Sequence, residues 1–363
     1  MANYLGKKWT KNELLSYIGD PLQIAGAECF CYTGGKASGV KGVRVDTGAG
    51  LLFTILPGRG MDIPQASFRG INLNYLSGTG VVSPAYFEEP GFGFLRNFFV
   101  GLLTTCGITN AGAPSTDQGE EFGLHGRISN VEAENLCVEQ DWHGEDFLIT
   151  LKGTMRESKP FFENMSLTRT VETGLGWKKF KITDRVDNKG FEPQPLMMLY
   201  HCNFGYPLLS PSAKIVGPIK KTDPRDDEAV KGRGMEECLE YPKPQDTYAE
   251  KVFFHDLGTD KGQNTFIALL NRDIGNGMPL GIRMSFNKKQ LPYLVEWKNP
   301  KKGFYVLGLE PGTVLPIGRG VLREQNKLMF LEGQSSHTMT IEFEIIDSTE
   351  EMDAIEKKAS ELK

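Results

Sequence analysis

Three segments of this 363-residue chain carry groups able to move protons. EEFGLHGRISN (120–130) and MLYHCNFGYPLL (198–209) each hold a histidine, His125 and His201. VLGLEPGTVLPIGRG (306–320) adds a carboxylate, Glu310. With Arg127 as a positioned cation, these groups suit general acid–base chemistry on a small polyhydroxylated molecule. His125 lies between glycines, which let a ligand approach the backbone. If the segment runs as a strand, His125 and Arg127 share one face; the plainer reading is a satisfied histidine at a strand end. His201 interrupts an apolar run, so it needs a hydrogen-bond partner, and burial tends to lower its pKa. Asn203 shares its face and is expected to orient a hydroxyl-rich ligand; the alternative is a core histidine bonded to a carbonyl. Glu310 ends an apolar strand just before the Pro311–Gly312 turn signal. There it reads as a base facing a cleft or as an ordinary strand-end carboxylate.

Other residues supplement this set. Arg59, in LPGRGMDI, either pairs with Asp62 in a turn or contacts ligand. Trp297 and Phe304 can stack on the apolar face of a sugar, although such residues more often serve a core. Glu120 and Glu121 precede His125, and Glu121, His125, His201 and Glu310 contain the donor types of a mixed metal site. A spacing of four suits a helix better than this strand-like context, so no metal or other cofactor is expected. Cys106 and Cys202 read as small buried residues rather than nucleophiles. There is no GxSxG elbow, GxGxxG or P-loop signature.

The elements that must hold these groups are strands. Segments such as GLLFTILP (50–57), FLITLKGTMRES (147–158), MSLTRTVETG (165–174) and HTMTIEFEIID (337–347) alternate apolar and polar residues between Gly and Pro turns. In the last, Ile341, Phe343 and Ile345 share one face while Glu342 and Glu344 take the other. Roughly fifteen short strands predict an all-β fold, a large antiparallel β-sandwich over residues 1–363. Helix is confined to an N-terminal extension (1–25), where Thr10 and Glu13 form a capping box, and to a charged, solvated tail (348–363). The polar stretch 220–244 reads as a surface excursion.

Composition narrows the partners. Net charge is −5, and the densest basic clusters are Lys220–Lys221 and Lys301–Lys302, so nucleic acid is not expected. No segment reads as a signal peptide or membrane span. The six cysteines fit neither a zinc site nor a disulfide framework, which points to reduced thiols in the cytoplasm. The tail helix and exposed strand edges are compatible with a homodimer without demanding one.

LPGRGMDI, GLLTTCGITNAG, GLHGRISN, LYHCNFGYPLL and GLEPGT, in that order across about residues 40–345, resemble the galactose mutarotase (aldose 1-epimerase) superfamily. They are most similar to its aldose-epimerase-like branch of unknown function. The resemblance implies a supersandwich with a sugar site across one sheet, and a cofactor-free isomerase that opens a hemiacetal ring and recloses it as the other anomer. It implies that His125 contacts substrate near the ring oxygen, His201 is the general acid toward that oxygen, and Glu310 is the base on the anomeric hydroxyl. The family's Asn-Arg pair is only half kept. Asn110 stands in GITNAG without its arginine, and Arg127 is expected to replace it. No aspartate matches the family's substrate-binding aspartate. Arg59 and Arg127 leave room for a sugar acid or sugar phosphate. The competing expectations are an epimerase or isomerase acting beside a carbonyl, metal-assisted through Glu121, His125 and His201, and a non-catalytic carbohydrate sensor.

Overall fold

A computed structural model describes residues 2–275 and 277–363. The alternating segments form antiparallel strands in three main sheets. The eight-stranded sheet runs Glu134–His143, Asp146–Ser158, Asn164–Gly174, Lys179–Asn188, Ser336–Ile346, Leu280–Asn287, Asn264–Asn271, Ala213–Val216. A six-stranded sheet has the order Ile219–Pro224, Lys251–Leu257, Tyr293–Lys301, Phe304–Gly312, Leu199–Phe204, Thr104–Cys106. A five-stranded sheet near the N-terminus runs from Gly26–Cys31 to Ile71–Asn72. Bridges between Ile63 and Leu103 and between Asn74 and Phe204 join it to the six-stranded sheet.

Period-two patterning explains the layers. Ile341, Phe343 and Ile345 are buried, whereas Glu342 and Glu344 form ion pairs with Lys179 and Arg283. Phe180 stacks between Phe53 of the five-stranded sheet and Phe343 of its own, with centroids 4.5 and 4.7 Å away. One polar knot lies inside this core. Arg169 grips Asp184 through two bonds of 2.9 and 2.7 Å and reaches Asp62 at 3.4 Å. The Tyr200 hydroxyl donates to Asp184 at 2.7 Å, and Asp62 accepts from the Thr105 amide at 2.9 Å. This network fixes the inward face of Leu199–Phe204 and so turns His201 and Asn203 to the opposite face.

Three expectations about the periphery change. The N-terminal stretch contains a hairpin, Ala2–Tyr4 with Lys7–Trp9, before the short helix Lys11–Leu15 that Thr10 caps. The tail helix Thr349–Leu362 is not wholly solvated. Met352, Ile355 and Ala359 are buried against Phe266, Ala268 and Leu270 on the outer face of the eight-stranded sheet. The stretch 220–244 is a cover rather than an excursion. After the edge strand it packs Ala229 and Cys238 against Phe253, and carbonyls of Glu237 and Glu240 hold the buried Lys298 ammonium at 2.6 and 2.5 Å.

Candidate active site

The six-stranded sheet sets the central pair by register. Leu199 pairs with Gly312 and Cys202 with Leu309, which brings His201 opposite Glu310; Val295 faces Glu310 from the other side. His201 Nδ1 lies 2.6 Å from Asn203 Oδ1 and 3.2 Å from Glu310 Oε1; the second contact lacks the angle of a hydrogen bond. Gly308 makes room for this arrangement. A Cβ there would sit 2.4 Å from Glu310 Oε1 and 3.1 Å from the Trp297 Cβ, so any side chain would push the carboxyl away.

His125 arrives from a turn, not from the strand expected. It has φ +60°, and Gly126 follows at +76°. A Cβ on Gly126 would lie 2.2 Å from the Asn110 carbonyl, which restricts that position to glycine. Asn110 donates to the Gly123 carbonyl at 2.8 Å, and the Glu157 carboxylate accepts from the Ile108 and Thr109 amides at 3.0 and 3.2 Å. The turn thereby carries His125 to within 5.4 Å of the His201 ring, centroid to centroid, edge to face. Trp297 and Phe98 meet the His201 ring at 5.3 and 5.1 Å.

These groups line one cavity of about 360 Å³, within the usual range for small-molecule sites. Its polar wall is His125, His201, Glu310, Arg225 and Glu250; Trp297, Phe98 and Val295 give an apolar wall, and Phe92 and Leu95 flank it. The Trp297 indole donates to Glu250 Oε2 at 2.8 Å, and Arg225 holds Glu250 Oε1 at 3.3 Å and Asp226 at 2.7 Å. Burial disfavours every charge on the inner wall. Glu310 is pushed well above the ordinary carboxylate range, first by desolvation and then by the Glu250 charge, with Arg225 opposing. Desolvation and the neighbouring His125 hold His201 well below the usual imidazole range, against the raising effect of Asn203. Desolvation lowers His125 to about 4; it keeps some accessible surface because the cavity opens beside it.

Of the expected site residues, the cavity receives His125, His201, Glu310 and Trp297. The other placements correct the sequence reading. Arg59 is 1% exposed, and its guanidinium donates to the carbonyls of Ser129, Val82 and Asn97, so it braces the core and does not line the cavity. Asn110 is used by the turn, and Asn203 by His201 and the Val100 carbonyl. Arg127 is clamped outside the cavity wall by Glu89 at 2.5 Å, with Glu163 at 3.9 Å, and does not share a face with His125. Glu121 sits exposed on the ribbon Ser115–Asp117 with Glu120–Phe122. Glu121 lies apart from His125, His201 and Glu310, and among the described residues no group of three or more His, Cys, Asp or Glu side chains is arranged to hold a metal. Sequence reading missed Arg225, Glu250 and Gly308. Arg225 follows an edge strand and Glu250 precedes the apolar VFF run. A charge at a strand end marks a cavity rim and an open surface alike.

The sheets build a galactose mutarotase-like β-sandwich. Within that class, the chain belongs to the family described as Domain of unknown function (DUF4432), whose model matches residues 37–345. It is similar to a Klebsiella pneumoniae protein provisionally assigned as an aldose 1-epimerase, at 26% identity and TM-score 0.88, covering 98% of this chain and 91% of that one. A galactose mutarotase-like protein of Clostridium acetobutylicum shares the fold at 14% identity and TM-score 0.61, over 90% of this chain and 100% of that one. Galactose 1-epimerase of Lactobacillus acidophilus does so at 11% and 0.59, over 89% and 99%. None of the curated proteins matches by sequence. Among the described residues, no helix is long and apolar enough to cross a membrane.

Proposed function

We propose that the chain is a carbohydrate epimerase that interconverts the anomers of a neutral aldose by acid–base ring opening. The observation that carries this reading is the convergence of His201, Glu310 and His125 on one wall of a sugar-sized cavity with Trp297 beside them. Anomerisation needs one proton removed from O1 and one delivered to the ring oxygen. A neutral carboxyl with a neutral imidazole supplies both functions, as a carboxylate with an imidazolium would. Burial favours the neutral pair here. His201 then takes the O1 proton while Glu310 protonates the ring oxygen, and the open chain rotates about C1–C2. On reclosure each group regains its starting state. This resting charge state is the reverse of the carboxylate and imidazolium that family resemblance implies.

A neutral substrate follows from the cavity's charges. Arg225 is the one cation lining it among the described residues, and Asp226 and Glu250 already engage it. Arg59 and Arg127, the cations that suggested an acidic or phosphorylated sugar, are held elsewhere. Six free cysteines, three of them exposed, fit work in the reducing cytoplasm.

The test is anomer exchange by NMR in D2O over neutral aldoses, sugar acids and sugar phosphates. Accelerated exchange of a neutral aldose without deuterium at carbon is the expected result. Deuterium entering a C–H bond would transfer the protein to the carbonyl-adjacent epimerases. Binding without acceleration of any sugar would make it a sensor.

A further inference from the structure

His125 and His201 share one wall of the cavity, yet their second nitrogens are held in opposite ways. The Asn203 amide can point only one way. Its Nδ2 lies 3.1 Å from the Val100 carbonyl and 2.8 Å from the His201 carbonyl, and both of these only accept. Asn203 Oδ1 therefore faces His201 Nδ1 at 2.6 Å, and since that oxygen accepts, Nδ1 carries the hydrogen. At His125 the polarity is inverted. The Gly112 amide, a donor, points at Nδ1 from 3.3 Å, so Nδ1 is bare. In neither ring does a protein group hydrogen-bond to Nε2 among the described residues. These are the nitrogens left for the cavity.

We infer that the fold locks the two histidines in opposite neutral tautomers, with Asn203 the positioning residue for His201 and the Gly112 amide for His125. The cavity then presents a hydrogen-bond acceptor, His201 Nε2, and a donor, His125 Nε2–H, on rings 5.4 Å apart. A polyol with a hydroxyl beside an ether or carbonyl oxygen matches this pair: the hydroxyl donates to His201 while the second oxygen accepts from His125. No imidazolium is needed. Geometry sets which nitrogen faces each protein partner, burial beside His125 keeps His201 from taking a second proton, and the consequence for turnover rests on the epimerase reading.

The charged and titratable groups around His201 are Glu310 from the next strand, His125 from the turn, and Arg225 and Glu250 across the cavity; on the Thr104–Cys106 strand Thr104 pairs with His201, and Cys106 pairs with Leu199 two residues away. The test is long-range 1H–15N NMR of histidine-labelled protein at pH 7, with signals assigned through His125→Gln and His201→Gln. The expected spectrum has His201 protonated at Nδ1 and bare at Nε2, and His125 the reverse. The same tautomer at both rings, or an imidazolium at either, overturns the inference.

Two variants then isolate Asn203. Asn203→Asp keeps an acceptor at Nδ1 and adds negative charge, so His201 stays protonated at Nδ1 and gains its second proton at higher pH than in the wild type. Asn203→Leu removes the acceptor. His201 then redistributes between tautomers, and turnover per folded molecule drops by on the order of 100-fold or more, as expected for a mis-set catalytic tautomer. If Asn203→Leu does not fold, the Asn203→Asp titration decides alone. Unchanged tautomer and titration would remove Asn203 from the role. Opposite tautomers in a wild type that accelerates no sugar would leave this inference standing and sink the epimerase reading.

Discussion

The six-stranded sheet carries two histidine–glutamate pairs, one on each face, and they have different fates. On the cavity face His201 Nδ1 lies 3.2 Å from Glu310, with Nε2 left without a protein partner among the described residues. On the other face His255 Nε2 lies 2.8 Å from Glu296, and Thr222 Oγ1 meets its Nδ1 at 2.9 Å. Both nitrogens of His255 are used, and both side chains of that pair are wholly sealed under the cover formed by Ala229 and Cys238. The residue types are the same; access and an uncommitted nitrogen separate chemistry from architecture.

The largest expected contrast is in turnover. His201→Gln lowers anomer exchange by roughly 10²–10⁴-fold, the usual worth of positioned acid–base catalysis. His255→Gln leaves the rate per folded molecule unchanged. Equal losses from both would end the distinction between the faces. Stability runs the other way. Glu296→Leu leaves the sealed His255 Nε2 without its hydrogen-bond partner and costs about 1–3 kcal/mol, measured by urea unfolding, as an unsatisfied buried polar group does.

Gly308→Ala sharpens the comparison from the cavity side. A methyl group 2.4 Å from Glu310 Oε1 moves the carboxyl and cuts turnover by about 100-fold. The sealed pair and its contribution to stability are untouched.

His125 supplies a pH signature. Its pKa is near 4 when folded, against 6.5 for the free side chain. Between those values the unfolded chain binds the proton and the native protein does not, so stability rises with pH across that window and is flat on either side. The span is up to about 3 kcal/mol, less to the extent that the cavity is hydrated. Urea titrations from pH 4 to 7 should lose this slope in His125→Gln. The smallest effect is expected at the rim, where Arg225→Met frees Glu250 and raises KM about tenfold, with little change in kcat.

The fold was legible because alternation is local: the last strand's Ile341, Phe343 and Ile345 needed no partner to be assigned a face. His201 and Glu310 stood out for a related reason, as polar groups interrupting apolar strands. His125 reaches the cavity from a turn rather than the expected strand, because its turn depends on Gly126 packing against the Asn110 carbonyl. For Arg59 the local sequence offered only Asp62 or a ligand as partners, whereas the distant carbonyls of Val82, Asn97 and Ser129 consume its donors. Arg225 and Glu250 were invisible, since the cavity rim exists only after distant strands are placed side by side.

The most direct test of the two-face account compares Glu310→Gln with Glu296→Gln for anomer exchange of the best neutral aldose, both normalised to folded protein. The account predicts that Glu310→Gln loses the acceleration while Glu296→Gln keeps it. A Glu310→Gln variant exchanging at the wild-type rate, or a Glu296→Gln variant that stays folded but inactive, would contradict it.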